Sequence, residues 1–121
     1  MELIFAISAL LVPIALAMVA VVNIATGALL AETVARETAR TFVLADDDEA
    51  AFVQATLVAR LAFADAGHDF VAPTLTCSAR PCLSAGGSVR VAVRIPVDVP
   101  WGRWTVRSAH VQVVDPWRAW E

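Results

Sequence analysis

A chain of 121 residues points to one domain, or one small domain plus an appendage, and its hydrophobic share of 59% stands well above the about 45–50% of soluble domains. Its nine basic residues, all arginine, face twelve acids for a net charge of −3, which excludes the basic footprint of a nucleic-acid binder. The hydrophobic excess is concentrated near the N-terminus.

Between Glu2 and Glu32 lie 29 residues, Leu3 to Ala31, without an acid, a base or a histidine. Crossing the hydrocarbon layer takes roughly 20 apolar residues, and at 1.5 Å each this run reaches roughly 43 Å. A cleavable secretory signal would show an apolar part of about 7–15 residues behind a basic stretch. The expectation is a retained transmembrane helix over residues 1–31 and a small domain over residues 32–121.

Within the run, Ala6, Ala9, Pro13, Ala17, Ala20, Gly27 and Ala31 follow three-four spacing, broken by Ile24. The opposite stripe is bulky: Leu3, Ile7, Leu10, Ile14, Met18 and Val21. Small residues along one stripe let helices approach closely in lipid; an alanine-rich helix also shows such a stripe by chance. Asn23 can hydrogen-bond across helices, worth about 0.6 kcal/mol on average. Pro13 removes one helix hydrogen bond and bends the segment.

The helix is expected to continue into "LLAETVARETARTFVLA", where Glu32–Arg36 and Arg36–Glu37–Arg40 set opposite charges at helical spacings. In "ADDDEAAF" Asp46 is the expected N-cap, with Glu49 in the capping-box position. A second helix then spans about Asp47 to Ala66, burying Phe52 or Val53, Leu57, Leu61 and Ala64, and stops at Gly67. The acids could also hold a hard cation, but no calcium-loop spacing follows.

Beyond Gly67 the period becomes two. "SVRVAVRIPVDV" sets Val89, Val91, Val93, Ile95, Val97 and Val99 on one face and Arg90, Ala92, Arg94, Pro96 and Asp98 on the other, a half-buried antiparallel strand. Pro96 implies an edge or a bulge. "TLTCS" is its candidate partner, and "WTVRSAHVQVV" a third strand whose apolar face switches between Val106 and Val111. His110, alternating with Ser108 and Gln112, is expected to face solvent, and His68 to lie in the turn after the second helix. The fold class implied is α+β, with a small antiparallel sheet on the second helix.

Cys77 and Cys82 enclose four residues, unlike a redox Cys-x-x-Cys, and are expected to form a disulfide closing a hairpin loop; two buried thiols are the alternative. Adding His68 and His110 makes a metal set only on paper, since their spacing matches no known site. No nucleophile, base and orienting group can be assembled, so neither an enzyme nor a cofactor is expected. Trp101 and Trp104 suit a cover over the open end of the sheet. Trp117 and Trp120 suit contacts with a partner subunit or the lipid interface.

A Glu heading a long apolar helix, the continuation "AETVARETARTFV", a second helix, and "GGSVRVAVRIPVDVP" with a closing strand together resemble the TadE-like pilin-related proteins of tight-adherence (Tad) pilus systems, across essentially the whole chain. Val34, Ala35, Arg36, Glu37, Ala39 and Arg40 approximate that family's "VAxxAREGAR"-like stretch. The resemblance implies a minor pilin-like subunit taking part in assembly of a Tad or type IV-type pilus or related secretion machine. Its partners would be other pilin-like subunits, the assembly platform in the membrane and the lipid bilayer. Glu2 would pair with a neighbouring subunit's terminal amine, and the helix stripe with Asn23 would form the subunit contact. The family's basic leader ending in Gly does not stand before Glu2, and its proline tends to lie nearer the Glu than Pro13 does. The resemblance therefore implies an upstream start and a prepilin peptidase, an already processed chain, or an uncleaved relative. An extracytoplasmic place for residues 32–121 rests on the resemblance and the cysteine pair. A membrane-tethered extracytoplasmic binding module for a ligand or envelope protein is the alternative. Leucine at Ala17 and Ala20 separates the two readings, because a tether would not respond.

Overall fold

The computed structural model describes residues 1–115. In chain order these form α1 (Glu2–Val43), α2 (Asp48–Asp65), β1 (Thr74–Cys77), β2 (Ser88–Val99) and β3 (Gly102–Val113). The sheet is antiparallel with strand order β1-β2-β3, so the α+β class is as expected. Trp117 and Trp120 lie outside the described residues.

Helix α1 runs unbroken through Pro13 for 42 residues, roughly 63 Å. Its buried residues, Ala20, Gly27, Ala31, Val34, Ala35, Thr38, Ala39, Phe42 and Val43, return at helical spacing and define one face. That face lies on β2 and β3, while α2 packs on α1 without touching the sheet, so the sheet is carried by the first helix and not, as expected, by the second. At Gly27 the contact is close: a Cβ there would overlap Val97 Cγ2 and stand 3.2 Å from Val106 Cγ2. A glycine is required there by space, not by φ.

Strand β2 buries Val89, Val91, Val93, Ile95, Val97 and Val99, the six residues of the alternating run. Strand β1 pairs only with Val89 to Ala92, so β2 has an open edge further along. Pro96 lies on that stretch, paired with Thr105 on the β3 side. The proline therefore sits where its missing N–H interrupts no ladder with β1.

Strand β3 departs from expectation. Val106 is buried, Ser108, His110 and Gln112 are half-buried on the same face, and Val111 and Val113 point outward. His110 thus lies on the inner side, its Nε2 3.3 Å from Gln112 Oε1. An edge strand only partly covered by α1 leaves room for polar side chains on its inner face.

Helix α2 departs more. Its N-cap is Asp47, which accepts from Ala50 N at 2.7 Å, one residue later than the Asp46 cap expected. Its buried residues are Ala51, Ala55, Ala59 and Phe63. Phe52, Val53, Leu57 and Leu61, the bulky residues expected inside, are exposed, as is Ala64. Alanines at every fourth position let α2 lie close on α1, and this seam takes precedence over bulk. The stop is as expected: Gly67 at φ 69 follows the last turn, with His68 N donating to Phe63 O at 2.9 Å and Gly67 N to Ala64 O at 3.0 Å, a Schellman ending.

One buried group in α1 lacks a partner: the Thr38 hydroxyl accepts and donates nothing within hydrogen-bond reach. An unsatisfied buried hydroxyl costs on the order of 1–3 kcal/mol, while helix propensities of Thr and Val are similar. Thr38→Val is therefore expected to stabilise the domain by about 1 kcal/mol. A higher thermal midpoint in detergent is the result expected; an unchanged or lower one refutes it.

Candidate functional site

Residues 1–19 are all exposed, and burial along α1 begins at Ala20. The bare segment Glu2–Val19 is roughly 27 Å long, close to the ~30 Å hydrocarbon core of a bilayer. The helix is long and apolar enough to cross a membrane. Exposed large apolar residues there include Leu3, Phe5, Leu10, Leu11, Ile14 and Met18, a surface that water alone would disfavour.

The sequence-named residues divide between two places. Glu2, Ala6, Ala9, Pro13 and Ala17 lie on the bare segment. Ala20 and Gly27 are buried by the rest of the same chain, on the line that continues the small-residue stripe. Asn23 donates through Nδ2 to Asp98 O at 3.0 Å, so its amide clips α1 to the end of β2. The stripe is thus one surface put to two uses. Its upper half receives the chain's own sheet, and its lower half is left open. Leucine at position 20 would test folding; leucine at position 17 tests association.

The open edge of β2 meets α1 and the turn after α2 near this division. Asp98 O takes the Asn23 amide, and Pro96 O lies 3.3 Å from His68 Nε2, whose Nδ1 is 2.8 Å from Asp69 O. A cleft of about 270 Å³ opens there, lined by Asn23, Thr26, Leu30, His68, Pro96 and Asp98 among others. The Asp98 carboxylate also accepts from Arg103 Nε at 3.2 Å. These contacts hold the sheet on the helix and assemble no nucleophile with a base.

At the opposite end, Cys77 and Cys82 are joined in a disulfide, with Cα atoms 5.2 Å apart. Asp48 secures this loop: its carboxylate accepts from Cys82 N at 2.9 Å and Leu83 N at 3.1 Å. The acidic turn therefore does two jobs, Asp47 capping α2 and Asp48 holding the loop against the helix start, where the dipole favours negative charge. Among the described residues, no three of His, Cys, Asp or Glu come together as metal ligands.

Trp101 and Trp104 stand at the β2–β3 hairpin, and both are exposed, so they do not serve as a buried cover. The outward row of α2 was missed by reasoning from bulk. The usable signal was the alanine repeat at 51, 55 and 59, which already marks the opposite side of the helix. Comparison of the chain with protein-family models, with curated proteins and with solved structures gave no match.

Proposed function

We propose that the chain is a minor pilin-like subunit, of the TadE-like kind, taking part in assembly of a Tad or type IV-type pilus or a related secretion machine. One observation carries this reading: a single helix carries a bare apolar segment of bilayer length and, on the same face further along, an intimate fit to its own sheet. A tether needs only the first property. A subunit that docks by its helix uses a smooth small-residue face continuous with its folded head, and Ala6, Ala9, Pro13 and Ala17 supply it. On this reading the protein is a single-pass membrane protein with its folded domain extracytoplasmic, where the Cys77–Cys82 bond is stable. Glu2, exposed at the start of α1, would be drawn into a bundle only with a cationic partner such as a neighbour's terminal amine. Its partners are other pilin-like subunits, the membrane assembly platform and, where an upstream leader exists, a prepilin peptidase.

Ala17→Leu tests the proposal. The side chain is exposed in the monomer, so insertion and folding should be retained. Cross-linked oligomers in the membrane, and recovery of the chain with sheared surface filaments, should each fall at least tenfold, equivalent to about 1.4 kcal/mol. Wild-type levels of both would favour a simple tether and overturn the assembly reading.

A further inference from the structure

The outer face of the sheet carries charge that the chain does not satisfy. The register sets Arg94 directly opposite Arg107, with Arg90 opposite Val111 on the same face. All three arginines are exposed, and none has an ion-pair partner among the described residues. Like charges facing each other across a ladder repel, so this pair is costly until an anion covers it. Along β3 the same face continues as Ala109, Val111 and Val113, all exposed.

Helix α2 presents the complement. Its outward row is Val53, Leu57 and Leu61, which are 65%, 55% and 58% exposed, followed one turn later by the exposed Asp65. On a helix such a row repeats every four residues, about 6.0 Å; on a strand face it repeats every two, about 6.7 Å. Set antiparallel, Val53, Leu57, Leu61 and Asp65 fall against Val113, Val111, Ala109 and Arg107, with Arg94 beside the last. Three steps accumulate roughly 2 Å of mismatch, small against the length of an arginine.

The chain directions agree. Helix α2 starts at the disulfide loop, where Asp48 holds Cys82 N, and ends where His68 meets Pro96. Strand β3 runs the other way, from the hairpin at Gly102 to Val113 beside Ser88. Two copies held in one membrane orientation and shifted along their shared axis therefore present α2 and β3 antiparallel.

We propose that the α2 row of one copy docks on the outer sheet face of the next, with Asp65 neutralising the Arg94–Arg107 pair. The occupant is a second copy of this chain. Because the two faces differ, the contact is head-to-tail and not that of a symmetric dimer. The inference rests on the assembly reading and adds the contact between folded heads.

Leu57→Cys and Val111→Cys copies of the full chain, mixed in membranes and treated with a short bismaleimide, should give heterodimers well above either copy alone. Arg94→Glu with Arg107→Glu in the Val111→Cys copy should reduce them at least tenfold, and Asp65→Arg in the other copy should restore them. An Ala9→Cys cross-link between rods is read in parallel. Rod cross-links without the 57–111 link overturn head docking and leave the assembly reading standing; absence of both removes both. A 57–111 link indifferent to charge reversal, or not rescued by Asp65→Arg, also overturns the proposal. So does recovery of the wild type on anionic vesicles through its arginines with no 57–111 link, which would give the face to lipid.

Discussion

Gly27→Leu is expected to destabilise the folded domain by about 3 kcal/mol or more, at or above the upper end of ordinary overpacking costs. A Cβ at this position already overlaps Val97 Cγ2, and Val106 Cγ2 stands 3.2 Å away. Both neighbours are buried, β-branched and held in paired strands, so neither has a free rotamer to move into. The helix cannot simply step back, because Asn23 is tied to Asp98 O on one side and Ala31 and Val34 are fully buried on the other. For a domain of this size the thermal midpoint should drop by more than roughly 10 °C. Thermal unfolding in detergent, where the chain is dispersed, is the appropriate measurement. A wild-type midpoint together with lost oligomerisation would mean that position 27 faces a neighbouring subunit, as a purely intersubunit stripe requires.

How far the fold was legible depended on whether one physical rule acted alone. The β2 alternation was plain because a central strand under a helix must bury one face, and its six apolar residues do so. Gly67 and the Cys77–Cys82 pair were readable because a left-handed cap and a short covalent loop have local requirements. The inward face of α2 was not, because two rules conflicted. Burying bulk favoured Leu57 and Leu61, while close helix approach favoured Ala51, Ala55 and Ala59, and the second prevailed. Strand β3 was ambiguous for a related reason: an edge strand half-covered by α1 can turn His110 inward and Val111 outward. The small-residue stripe was visible in full, yet nothing local marks Ala20 as the point where the chain's own sheet takes over. Such a boundary depends on where a distant hairpin ends.

That α2 is held by a seam of alanines makes one side chain decisive. Ala51, Ala55 and Ala59 each bury little apolar area, and among the buried residues of α2 the large one is Phe63, 1% exposed. Its ring stands 5.8 Å from Phe70 in an edge-on arrangement and 5.7 Å from the His68 imidazole. Arg60 in turn lies over the Phe70 ring at 4.3 Å. Phe63→Ala removes the large anchor of the helix along with the platform for the turn that carries His68 to Pro96 O. A buried Phe→Ala change costs about 3–5 kcal/mol. The expected result is loss of α2 from the domain while the β2–β3 pairing persists. Amide exchange should then become fast across residues 48–65 and stay slow at Val91, Val93 and Ile95. The docking row Val53, Leu57 and Leu61 would no longer be presented in register, so the 57–111 cross-link should vanish in this variant while rod cross-links through position 9 remain. Protection of α2 equal to that of the wild type would show that the alanine seam alone holds the helix.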